Sequence, residues 1–109
     1  MKLRMVILLT VFAALPATVL AAGNANEGKQ VFAAHCQMCH GPNGEGNPAL
    51  AKMLKATIPP LGSKAVQSLS DAQIKEVIEN GKGKMQPIHG LSPAEITNVI
   101  AFVRTLGKK

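Results

Sequence analysis

The chain has 109 residues, of which 47% are apolar, 3% aromatic and 17% charged. That length excludes a two-domain enzyme, and that composition excludes a collagen-like or highly charged disordered chain. The formal net charge is +6, yet there is no Arg-rich run and no aromatic residue interleaved among the lysines, so a base-stacking nucleic-acid platform is excluded and no nucleic-acid partner is expected.

The chain opens with the basic stretch Met1-Lys2-Leu3-Arg4. Met5 to Leu15 is apolar except for Thr10, and Pro16 and the small-residue exit Val19-Leu20-Ala21-Ala22 follow. This order predicts a secretory signal peptide over residues 1–22 and a domain over 23–109. The rival reading, an uncleaved anchor, is disfavoured because the apolar stretch is short for a span of about 20 residues; after cleavage no membrane attachment is expected. Removal of Lys2 and Arg4 leaves ten basic and six acidic residues, a mild positive field suited to steering toward an acidic partner. The remaining 87 residues hold two Phe, no Trp and no Tyr. A domain so small and so poor in large side chains needs a further stabilising element.

The first helix is predicted from Asn24 or Asn26 to about His35. Asn24 and Glu27 have the spacing of a reciprocal cap, and Gly28, Phe32 and Cys36 form one stripe. Gly41 to Pro48 reads as a loop, Ala49 to Lys55 as a short helix, and Ile58 to Gly62, with two prolines, as extended or turning. Ser70 with Gln73 opens a strong helix that ends at Asn80-Gly81. Ser92-Pro93-Ala94-Glu95 opens the last one, which Gly107 stops. Leu69 with Ile74, and Leu91 with Ile96, have the spacing of hydrophobic staples. No segment alternates as a strand, so the fold class is all-α. Phe32, Leu50, Leu61, Ile74, Val77, Ile78, Ile88, Ile100 and Val103 are expected to pack around the group that completes this small core.

The chemistry lies in Cys36-Gln37-Met38-Cys39-His40. Two Cys in an exported chain ordinarily pair, but two residues apart they suit a dithiol, a metal site or a thioether attachment better than a structural staple. With His next in the chain, the pattern is that of a c-type haem attachment. The two Cys sit about one turn apart, matching the two vinyl groups of haem, and His40 falls under the iron as an axial ligand. A thioredoxin-like dithiol expects a βαβ context that is missing. A zinc site would recruit Cys36, Cys39, His40 and the distant His89, with nothing specific to support His89. Candidates for the second axial ligand are Met38, Met53, Met85, His35 and His89. Met85 stands out by its setting, Asn80-Gly81-Lys82-Gly83-Lys84-Met85-Gln86-Pro87: a helix ends, glycines turn the chain, and one Met is presented before a Pro. His89 is second. Met38 lies inside the attachment segment, and Met53 sits beside Leu50 and Leu54 where packing explains it.

On these residues the chain resembles the small bacterial class I cytochromes c, monohaem and His/Met-ligated, over nearly all of residues 23–109. Gly28 and Phe32 are similar to the family's first helix and Phe102 to the aromatic of its last. Cys36, Cys39 and His40 match the attachment site, and Met85 the distal ligand. Pro48 looks like the family Pro whose carbonyl accepts a hydrogen bond from the proximal His. Two departures are Gln86, standing between Met85 and Pro87, and the lack of Trp or Tyr for the haem propionates. The resemblance implies about four short helices wrapped around one covalently bound haem c. It implies a periplasmic one-electron carrier, not an enzyme, acting as a monomer that docks at the haem edge on a reductase, oxidase or dehydrogenase. Lys52, Lys55, Lys82 and Lys84 are candidates for a basic rim. The alternatives are a haem peroxidase or gas sensor with a labile sixth ligand, and a haem subunit of a larger oxidoreductase.

Overall fold

The computed structural model describes residues 10, 11, 13 and 23–108. Apart from those first three positions, the expected signal peptide lies outside the described residues. Six helical segments follow in order: α1 (Ala25–His35), α2 (Gln37–His40), α3 (Pro48–Leu54), α4 (Lys64–Gln67), α5 (Asp71–Asn80) and α6 (Pro93–Leu106). Among the described residues there is no strand beyond a single bridge between Lys82 and Met85, so the fold is all-α. Four of the helices were expected; α2 and α4, of four residues each, were not.

The two strongest helices begin as their sequences dictate. Ser70 accepts from the Gln73 amide and Gln73 returns to the Ser70 amide. Ser92 and Glu95 do the same for α6, with Pro93 in its first turn. At α1 the outcome differs. Asn24 Oδ1 caps the amides of Asn26 and Glu27, but Glu27 does not reciprocate. Its carboxylate accepts from Asn98 Nδ2 on α6, and Asn98 Oδ1 accepts from the Asn24 amide. A cap expected to be local is a clasp between the first and last helices.

That clasp sits where α1 crosses α6. A Cβ on Gly28 would overlap the backbone carbonyl of Asn98, so only Gly allows so close an approach. One turn on, Phe32 and Phe102 meet with ring centroids 5.0 Å apart, tilted by 55°, a geometry worth about 0.5–1.5 kcal/mol beyond burial. The buried core is Phe32, Ile74, Ile78, Ile96, Val99, Ile100, Phe102 and Val103. Of the residues expected to pack around a completing group, Phe32, Ile74, Ile78, Ile100 and Val103 lie in this core, and Leu50, Leu61, Val77 and Ile88 are half-buried. Helical spacing reports which face points inward, not how deep it goes.

Two polar side chains tie the rest of the chain to α6. Gln67 Nε2 donates to the carbonyls of Leu61 (2.8 Å) and Val103 (3.0 Å). Arg104 donates to the carbonyls of Gln67 and Leu69 and to Asp71. These bonds hold the α4 segment, which at four residues is too short to be a helix on its own account.

Candidate functional site

The Cys36 amide donates to the carbonyl of Phe32 (2.8 Å) and ends α1. Its own carbonyl then accepts from the amides of Cys39 (3.3 Å) and His40 (3.0 Å). Cys36, Cys39 and His40 thus lie on one backbone turn, which begins one helical turn beyond the Phe32–Phe102 contact. Both thiols are unpaired and half-buried. Burial pushes the Cys36 thiol up to about 11, and the neighbouring Cys39 adds to the effect. A thiol with so little thiolate at neutral pH is a poor redox nucleophile, which disfavours the dithiol reading. His40 is half-buried, and burial lowers its pKa, favouring the neutral imidazole that ligates metals. Its Nδ1 is buried without a hydrogen-bond partner, an uncommon state for a buried polar atom.

Two thiols one turn apart, followed by a neutral imidazole, are the donor set of a c-type haem, and the residues present fit that group. They do not fit zinc: among the described residues no three His, Cys, Asp or Glu side chains converge as a metal site, so the arrangement that included His89 is not formed.

Met85 is reached by a separate route. The amide of Lys82 donates to the Met85 carbonyl (3.0 Å) and the amide of Met85 to the Lys82 carbonyl (2.9 Å), closing a tight turn over Gly83 and Lys84. Gly81 enters that turn at φ +77°, where a Cβ would crowd the Met85 carbonyl and the Pro87 ring. Beyond it the Ile88 amide donates to the carbonyl of Ile78 (2.9 Å) and returns the chain to α5. Met85 is therefore half-buried and held between two backbone anchors. The other candidates, Met38, Met53, His35 and His89, are exposed. Met53 was expected to pack, yet it is 75% exposed, because α3 buries none of its residues.

Pro48 is the first residue of α3, and His40 Nδ1 has no hydrogen-bond partner in this structure. The side chain that reaches the attachment turn is that of Asn47. Its Oδ1 caps α3 by accepting from the Leu50 amide (3.1 Å), and its Nδ2 donates to the carbonyl of Met38 (3.0 Å). Asn before Pro is a legible cap signal, but the second bond spans nine residues and leaves no local trace.

A family profile described as cytochrome c oxidase, cbb3-type, subunit III matches residues 23–103. The chain is 40% identical over 86 residues to a protein named Cbb3-type cytochrome c oxidase subunit FixP, from Azorhizobium caulinodans. The match takes in 76% of this chain and 27% of that relative, so the chain spans about a quarter of its length. Among solved structures it is similar to one named KustC0563 c-type cytochrome, at 29% identity and a TM-score of 0.62. That likeness covers 72% of this chain and 95% of the other.

Proposed function

This chain belongs to the cytochrome c family, and on that premise we propose that it is a periplasmic carrier of single electrons bearing one covalently attached haem c. The observation that carries the reading is the turn from Cys36 to His40: two unpaired thiols and an imidazole whose buried Nδ1 lacks a partner. The chain has one such motif and no other Cys, hence one haem. Cys36 and Cys39 would form the thioethers, and His40 and Met85 would ligate the iron. When bound, the haem would supply reversible one-electron chemistry at iron, with a potential raised by Met ligation. Ligation by two side chains would leave no open position for a substrate, which supports a carrier rather than an enzyme. Arg104, the only Arg after residue 22, is committed to Asp71 and two backbone carbonyls, which weighs against a peroxidase-like distal site.

Export is supported by the basic, apolar and small-residue order of residues 1–22 and by a family match that begins at residue 23. Among the described residues no helix is long and apolar enough to cross a membrane.

A monomer that docks transiently on reductases, oxidases or dehydrogenases is supported by where the charge lies. Residues 46–70 carry Lys52, Lys55 and Lys64 and no acid; residues 80–94 carry Lys82 and Lys84 and no acid. All six acids lie elsewhere, among five basic residues of the mature chain. The excess positive charge is thus confined to two stretches, one following the attachment turn and one containing Met85, where it would meet an acidic partner surface. The name of the FixP relative favours a second reading, a haem subunit of an oxidase assembly; a holoprotein that co-purifies in fixed ratio with other chains would establish it.

The testing measurement is an absorption spectrum of the secreted protein, oxidised and then reduced. Sharp low-spin haem c bands with a weak far-red ferric band are expected, and Met85→Ala is expected to abolish the far-red band. Its persistence in that variant would exclude Met85 as ligand, and absence of haem bands from the native protein would overturn the reading.

A further inference from the structure

We infer that Asn47 is a positioning residue for His40, acting through the backbone of the attachment turn; the inference rests on the haem-carrier reading above. The last four carbonyls of a helix have no partner within it. In α2, only four residues long, that is every carbonyl from Gln37 to His40. Such a turn has no intrinsic stability, and its shape is imposed from outside. The Gln37 carbonyl accepts from the Gly41 amide (2.8 Å), which is the turn's own cap. The His40 carbonyl accepts from the Gly46 amide (2.6 Å), and the Met38 carbonyl from Asn47 Nδ2 (3.0 Å). Two consecutive residues of a returning segment therefore grip the turn at Met38, one of the two residues between the Cys, and at the histidine itself. The Asn47 amide does two jobs at once, because its oxygen caps α3 while its nitrogen holds Met38. With His40 Nδ1 unpartnered, the ring receives no direction from a hydrogen bond at that atom. The backbone that carries the ring is held by Gly46 and Asn47.

The two jobs separate by substitution. Ser is a good helix cap, but its hydroxyl is too short to span to Met38, so Asn47→Ser keeps the α3 cap and loses the grip. Asn47→Ala loses both. Ser63→Ala, which removes the cap of α4, is the control for a purely structural loss. In the haem-loaded protein two quantities are read by NMR: amide exchange at Cys39, His40 and Gly41, and the hyperfine-shifted ring signals of His40 in the ferric state. Both Asn47 variants are expected to speed that exchange about fivefold, the change in local opening that one hydrogen bond is worth, and to displace the His40 signals. Ser63→Ala is expected to do neither. If Asn47→Ser matches the native protein in both readouts, Asn47 is only a cap and the inference is overturned while the haem reading stands. A native chain that takes up no haem overturns the reading beneath it and the positioning role with it.

Discussion

The crossing of α1 over α6 and the two segments that carry the attachment turn and the Met85 loop are built from different forces. The crossing is dry: Phe32 and Val99 are essentially inaccessible, and Gly28 lies against backbone. The attachment turn and the Met85 loop are shaped mainly by single backbone and amide hydrogen bonds, with Cys36 and Ile88 packed against the edge of the core. Burial at about 25 cal/mol per Å² of apolar surface is additive and unforgiving of shape; individual hydrogen bonds contribute about 1 kcal/mol each. The fold is therefore anchored at the crossing, and the residues proposed as ligands are carried on thinner supports.

The largest expected effect follows from the dry side. Gly28→Val would drive a branched side chain into the Asn98 carbonyl and force α1 away from α6, parting Phe32 from Phe102. A loss of more than about 3 kcal/mol is expected, enough to prevent accumulation of folded protein, and urea denaturation would measure it. A variant with near-native stability would show that the crossing can relax and is not the anchor.

Next is the lacing of the half that carries α4. Arg104→Ala leaves the carbonyls of Gln67 and Leu69 without donors and removes the contact to Asp71, at an expected cost of about 2 kcal/mol in thermal or chemical unfolding. Asp71→Asn removes only the charge partner. Asp71 is 73% exposed, and an exposed pair is worth about 0–1 kcal/mol, so this variant is expected to stay close to native. Equal losses in the two would mean that the ion pair, not the backbone bonds, carries the contact.

What the sequence reveals follows the same division. The two capping boxes and the Cys-x-x-Cys-His motif are local signatures, and each is found where its spacing places it. The two one-turn helices are not local: α2 and α4 owe their shape to Asn47, Gln67 and Arg104, reaching across 9, 36 and 35 to 37 residues. Glu27 was legible as a cap partner but answers to Asn98, 71 residues away. Apolar periodicity identified the inward faces of α5 and α6, where Ile74, Ile78, Ile96, Val99, Ile100 and Val103 are buried.

Caps give a smaller effect that sharpens the contrast. Ser92→Ala unlinks one side of the α6 box and is expected to cost about 1 kcal/mol. Because α6 is the helix against which both α1 and α5 pack, the loss is expected to appear in global unfolding and not in the far-red absorption of the haem-loaded protein. A variant that kept its melting point but lost that band would place the α6 start in the ligation machinery, against the division drawn here.

The smallest effect on the scaffold belongs to the exposed lysines of the two acid-free stretches. Lys52, Lys82 and Lys84 are exposed, and neutralising them as Lys52→Gln, Lys82→Gln and Lys84→Gln is expected to move stability by no more than about 0.5 kcal/mol. Lys55 is a poorer choice, because it sits at φ +51° at the end of α3, where a change of residue alters the backbone as well as the charge. If these charges steer docking, native electron transfer to an acidic redox partner falls as salt rises from 10 mM, where the Debye length is about 30 Å, to 150 mM, where it is about 8 Å. The triple variant should then be slower at low salt and nearly flat across that range. Equal salt slopes for the variant and the native protein would move docking off these stretches, leaving the segregated lysines as a solvated surface.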